Sequence, residues 1–107
     1  MSLDFSLHEV RPCEIFSRNI THNLVTMAKE AGIYIPLWRP DEIGAKFARD
    51  IIDQLRLGLA DLKARPEHYK QFNSPNGWGM YEHFVSFVQA VLLACVESPD
   101  AEIKVSR

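Results

Sequence analysis

Long apolar runs are missing from this 107-residue sequence. The longest, Ala90 to Val96, is far too short to cross a bilayer, so no membrane partner is expected. An excess of charge of one sign is missing too. Twelve basic residues are scattered among fourteen acidic ones for a net charge of −2, which leaves no field to hold a phosphate backbone and argues against nucleic acid as a partner. The first residues, Met1 to Glu9, carry neither a basic stretch nor an unbroken apolar one, so no secretion signal is read there and a cytoplasmic location is expected. Cysteine is scarce. Without an oxidising compartment Cys13 and Cys95 read as thiols, and Cys95, at helical spacing from Val88, Val91 and Leu92, reads as a small core residue.

Motifs of the common enzymes are also lacking. There is no GxGxxG, GxxxxGK[ST], CxxC, HExxH or GxSxG, so no cofactor is implied and no standard catalytic class is signalled. The four histidines His8, His22, His68 and His83 share no recognised ligand spacing with one another or with Cys or Glu, and the expectation is no metal. What is present is an ordinary globular mixture, 47% hydrophobic and 24% charged. One domain over residues 1–107 can bury about two thirds of its unfolded surface around one core.

Two segments alternate with the period of a half-buried strand. At the start, Leu3, Phe5 and Leu7 alternate with Asp4, Ser6 and His8, with Pro12 closing the strand; at the end, Ala101, Ile103 and Val105 alternate with Glu102, Lys104 and Ser106. The two are expected to pair, with Leu3, Phe5, Ile103 and Val105 on one buried face. A two-stranded ribbon is marginal in water, so a third strand is sought in Glu14 to Phe16 or in Ile33 to Leu37.

Between them the period changes to 3.6. Ile20, Leu24, Met27, Ala28 and Ala31 predict a first helix of about three turns, capped by Asn19 or Thr21 and closed at Gly32. Pro36 and Pro40 predict an extended or looped segment from Ile33 to Pro40. Ile43 to Ala64 reads as one long amphipathic helix, capped by Asp41, with Gly58 admitting another backbone. Pro66 opens a short helix, Asn73 to Gly77 is turn chemistry, and Met80 to Val96 reads as a third major helix buried over most of its girth. Phe47, Ile51, Leu55, Phe84, Val88 and Leu92 are the expected helix–helix core. The fold class is therefore α+β, three main helices on a small antiparallel sheet that includes both terminal strands.

Three polar-aromatic clusters stand outside the core periodicity. In Asn19-Ile20-Thr21-His22-Asn23-Leu24, capping needs one polar residue and four are present, with His22 and Asn23 off the Ile20/Leu24 stripe. In Leu37-Trp38-Arg39-Pro40-Asp41-Glu42, Trp38 offers either core cover or a stacking plane, and Arg39 a bidentate partner for phosphate or carboxylate. In Asn73 to Glu82, Gly77 and Gly79 flank Trp78 ahead of Tyr81, either making a turn or letting backbone amides approach a ligand. The expected ligand-binding set is Asn19, His22, Asn23, Trp38, Arg39, Asn76, Trp78 and Tyr81 around one partly exposed depression. No catalytic residue is assigned.

The strings NITHNL at 19–24, EAGIY at 30–34, LWRPDEIG at 37–44 and FNSPNGWGMYE at 72–82 resemble a family of short proteins encoded by phages, prophages and their bacterial hosts, nearly end to end through the PDAEIKVSR tail. Ile35-Pro36 departs from that pattern just before Trp38. The resemblance implies a phage-linked accessory role and brings no catalytic residues with it. The leading expectation is a non-enzymatic domain that binds a small polar or nucleotide-like ligand and sequesters a host immune signal. Two readings compete with it. One is a protein-interaction module that inhibits or adapts a host enzyme through Trp38 and Trp78; the other is a small hydrolase using His22 or His83. The partner is thus a small ligand or a host protein, and a homo-oligomer is compatible with either.

Overall fold

The structure, a computed structural model, describes residues 2–9 and 14–107. Strand β1 (Ser2–His8) lies in the middle of a three-stranded antiparallel sheet, between β2 (Glu14–Thr21) and β3 (Glu102–Ser106). The chain is α+β with both terminal strands in the sheet. Leu3, Phe5 and Leu7 are fully buried on one face while their neighbours alternate outward, as the period of two requires. Val105 sits opposite Phe5 and Ile103 opposite Leu7, so the four share that face. Ile103 and Val105 are only half-buried, because β3 is an edge strand. Pro12 and Cys13 lie outside the described residues, and so does the expectation attached to each.

The third strand is β2, longer than the Glu14 to Phe16 segment that signalled it. It carries Asn19 and Ile20, so the first helix starts later than its apolar stripe indicates. Thr21, not Asn19, caps a 3₁₀ turn (His22–Leu24), its Oγ1 accepting from the Asn23 N–H at 3.3 Å, and α1 (Val25–Glu30) follows. Ile33 to Pro40 is neither extended nor a loop over most of its length, since α2 spans Tyr34–Trp38. Pro36 is the third residue of that helix. In the first turn a backbone N–H has no intrahelical acceptor, so proline's missing donor costs nothing there and its fixed φ suits the helix.

The long helix expected over Ile43 to Ala64 is broken. A 3₁₀ turn at Pro40–Ile43 and another at Ala48–Asp50 precede α3 (Ile52–Ala64). Between the turns the backbone bonds to the C-terminal segment instead of to itself. Ile103 N–H donates to the Lys46 carbonyl at 2.8 Å, Ala48 N–H to Ala101 at 2.8 Å and Arg49 N–H to Pro99 at 2.9 Å, and Phe47 bridges to Glu102. Phe47 is therefore half-buried and not part of the helical core. Asp50, not Asp41, serves the backbone here: its carboxylate accepts from the N–H groups of Phe47 and Lys46, each at 3.0 Å, and those bonds hold its carboxyl below the ordinary range.

Helix α4 (Pro66–Lys70) leads through the turn-rich segment to α5 (Tyr81–Glu97). Ile51, Leu55 and Leu62 pack with Phe84, Val88, Val91 and Cys95 in one cluster, against the sheet residues Leu3, Phe5 and Leu7. Leu92 is half-buried at the rim, and Leu93 and Val96 are exposed, so α5 is buried over less of its girth than its stripe predicts. Burial pushes the Cys95 thiol up to about 12, as a core residue requires. At Gly58 a Cβ would meet Ile33 Cγ2 at 2.3 Å and the Ala31 carbonyl oxygen at 3.2 Å, so the close neighbour is first a side chain and only then a backbone. Among the described residues no helix is long and apolar enough to cross a membrane.

One polar clasp joins α3 to α4. Asp61 accepts from Arg65 Nε at 3.0 Å and Nη2 at 2.6 Å, and from the hydroxyl of buried Tyr69. The guanidinium first, and then the hydroxyl, hold the Asp61 carboxyl down to about 2. A carboxyl whose pKa falls on folding contributes stability that is fully present above its unfolded value of 3.8 and is lost as pH drops through about 2. Asp61→Asn is expected to lower stability at neutral pH and to flatten its pH dependence over that acid range, read by urea unfolding at a series of pH values. Leu55→Ala, at a site with no exposure, is expected to cost about 2–5 kcal/mol in the same assay.

Candidate functional site

A cleft of 720 Å³ opens where the end of β2 meets the loop before α5. Its walls come from two distant segments, Asn19 to Asn23 on one side and Asn76 to Gly79 on the other, with Ser2 and His83 at the margins. The two segments are tied directly. Asn23 Nδ2–H donates to the Trp78 carbonyl at 2.8 Å, across 55 positions of sequence. Trp78 N–H donates to Asn76 Oδ1 at 2.9 Å, and the Ser74 hydroxyl donates to the same oxygen at 2.6 Å. Ser74 N–H donates to the Gly79 carbonyl, closing the loop on itself.

Gly79 makes that approach feasible. Its φ is +110°, and a Cβ there would lie 2.9 Å from the Cβ of Asn23, so any side chain would push the two walls apart. The effect of this bracing is visible at Trp78. The backbone on either side of its side chain is bonded to asparagine amides, yet the indole itself is 71% exposed. On the opposite wall Asn19 stands across from Asp4 in the β1–β2 ladder, and its Nδ2 donates to Ser2 Oγ at 2.9 Å and to Asp4 Oδ1 at 2.5 Å.

Five of the eight expected residues, Asn19, His22, Asn23, Asn76 and Trp78, thus line one cleft; Trp38, Arg39 and Tyr81 do not. Trp38 is 1% exposed and stacks on Tyr34, with ring centroids 5.7 Å apart. Helix α2 turns it inward, which an extended segment would not have done. Arg39 is drawn to its own neighbourhood: Nε donates to the Tyr34 hydroxyl at 3.1 Å and lies 3.5 Å from Glu42. Tyr81 ties α5 to α3, its hydroxyl donating to the Leu62 carbonyl at 2.7 Å and its N–H to Asn73 Oδ1 at 2.7 Å. Its role is structural.

His22 belongs to both regions. It lines the cleft, and its ring stands edge-on to Trp38 with centroids 6.3 Å apart. Among the described residues neither the buried His22 Nε2 nor the buried Trp38 Nε1 has a hydrogen-bond partner.

Ser2, Ile20, Thr21, Gly77, Gly79 and His83 complete the lining, beyond the expected set. Thr21 and the two glycines were within reach of the motifs that flagged their neighbours. Ser2 was not, because only the β1–β2 register places it opposite Thr21. Among the described lining residues there is no Lys, Arg, Asp or Glu. Among the described residues, likewise, no three His, Cys, Asp or Glu side chains gather into a set that would hold a metal ion.

No protein-family model matches this chain, and neither does any curated protein or solved structure. The cleft's own chemistry is therefore what bears on function. Because Gly79 holds the walls together, Gly79→Ala is expected to cost about 1–3 kcal/mol and to free the Asn23 amide, read as a lower melting temperature together with faster exchange of the Asn23 side-chain protons.

Proposed function

We propose that this chain is a non-enzymatic domain that binds a small polar, nucleotide-like ligand in the cleft of Asn19, His22, Asn23, Asn76 and Trp78. The observation that carries the reading is the Asn23–Trp78 hydrogen bond, which fixes two remote polar segments face to face while the Trp78 indole stays out in water. Leaving an aromatic ring in solvent forgoes about 25 cal/mol for every Å² it could bury. An exposed indole on a braced backbone recovers that energy on a planar ligand, since base–aromatic stacking is worth about 1–3 kcal/mol. The surrounding amides supply the directional bonds that select among planar ligands.

The resemblance to short phage and prophage proteins is compatible with an accessory role, here proposed to be in the cytoplasm, in which a host immune signal is held and not turned over. A protein partner docking on the same indole is the competing reading, because exposed tryptophan is also the usual anchor of an interface.

The test is an NMR titration of the protein with a panel of nucleosides, nucleotides, sugars and amino acids. The Trp78 indole N–H and the backbone amides of 19–23 and 76–79 are expected to move together with one ligand class, which is recovered chemically unchanged. Trp78→Ala is expected to abolish the response with the melting temperature unaltered. Turnover of the ligand that is lost in His22→Ala or His83→Ala would assign a hydrolase instead, and no response to any small molecule would overturn the reading.

A further inference from the structure

Each amide in the cleft has its orientation fixed by a bond it already makes. Asn23 uses one of its two Nδ2 hydrogens on the Trp78 carbonyl, which fixes the amide's orientation and leaves its oxygen as an acceptor and its second N–H as a donor. Asn76 spends Oδ1 on the Trp78 N–H and the Ser74 hydroxyl, so its remaining end is the NH₂, a donor. Asn19, donating through Nδ2 to Ser2 and Asp4, also keeps its oxygen. The cleft therefore sets the oxygens of Asn19 and Asn23, with one Asn23 N–H, on one wall and the NH₂ of Asn76 on the other, beside an exposed indole.

Charge points the same way. The described lining holds no Lys or Arg, and the Asp4 carboxylate on Asn19 puts negative charge behind one wall. Phosphate is bound by guanidinium, ammonium, imidazolium or an array of free N–H groups, and of the three cationic side chains the described lining holds histidine alone, at His22 and His83. Here the Trp78 N–H is already committed to Asn76, and Arg39 is committed to Tyr34 and Glu42.

We infer that the cleft recognises an uncharged purine or pyrimidine base, stacked on Trp78, which presents a donor to the Asn23 oxygen on one wall and an acceptor to the Asn76 NH₂ on the other, and that any phosphate on the ligand stays outside in solvent. This rests on the reading of the cleft as a ligand site. It adds the part of the ligand that is read and the part that is ignored.

The experiment titrates the intact protein with guanosine, uridine, adenosine and cytidine, with the 5′-monophosphate of each, and with inorganic phosphate. It follows tryptophan emission, in which buried Trp38 supplies a constant background, and the NMR signals of 19–23 and 76–79. At least one nucleoside is expected to quench Trp78, and its monophosphate to bind within about threefold of it, with little change between about 50 and about 500 mM salt. Asn76→Asp keeps an oxygen for Trp78 N–H and Ser74 while replacing the donor with an acceptor. That variant is expected to bind the nucleoside at least about tenfold more weakly with an unchanged melting temperature.

A monophosphate bound more than about tenfold tighter than its nucleoside in a salt-dependent way, or competition by inorganic phosphate, would overturn the inference. Undiminished binding by Asn76→Asp would do so as well. Silence from every nucleoside and nucleotide, with a response to a sugar or amino acid, would overturn the inference while the ligand site stands; silence from all of them would remove both.

Discussion

Burial of Leu3, Phe5 and Leu7 is the constraint from which the rest of the structure follows. Strand β1 is hydrogen-bonded on both edges, to β2 and to β3, so its backbone is satisfied within the sheet, but three strands cannot by themselves shield an apolar face. Helix α5 packs on the sheet and α3 packs on α5, all within one apolar cluster. The requirement also draws the two ends of the chain together, because the strand that completes the sheet beyond β1 is the last element of the sequence. The C-terminal segment is held at several points: β3 in the sheet, the backbone bonds of 99–103 to 46–49, and Arg107, whose Nη1 donates to the Trp38 carbonyl at 2.7 Å.

The cleft is a by-product of that arrangement put to use. With β2 forced to lie along β1, its end delivers Asn19 to Asn23 to the start of α5, where the loop of Asn73 to Gly79 must turn the chain. Two asparagine amides then pin the backbone of Trp78 from both sides. Such pre-ordering matters energetically, since a loop already held in place loses little further entropy when something docks on it. The polar bonds here are spent largely on holding the indole and the walls in position, which leaves a small and chemically defined set of groups at the cleft.

Local sequence signals succeeded where one interaction dominated. Alternation at 3–7 and 101–105 marked the strands because each strand has one buried face. The stripe Phe84, Val88, Val91 and Cys95 marked α5 because a helix against a core must repeat at 3.6. They failed where two local structures were nearly equal in energy. Pro36 suits an extended segment and a first helical turn alike, and the choice of helix carried Trp38 from a supposed binding surface into the core. Phe47 lay at helical spacing from Ile51, but the backbone of its neighbours Lys46, Ala48 and Arg49 found partners in 99–103, more than fifty residues away.

The sequence by itself determined the fold class, the strand character and pairing of the two terminal segments, the apolar faces of the two principal helices, and the fact that residues 19–23 and 76–78 carry more polar and aromatic chemistry than capping and turning need. These are matters of periodicity and composition, which act over a few residues. Tertiary structure decided which of those residues meet. It admitted Ser2, Thr21 and His83 to the cleft, withdrew Trp38, Arg39 and Tyr81 from it, and fixed which end of each asparagine faces a bond already made. The physical reason is that strand register and the Asn23–Trp78 contact join positions far apart in the chain, and no local pattern encodes a hydrogen bond whose partner lies 55 residues away.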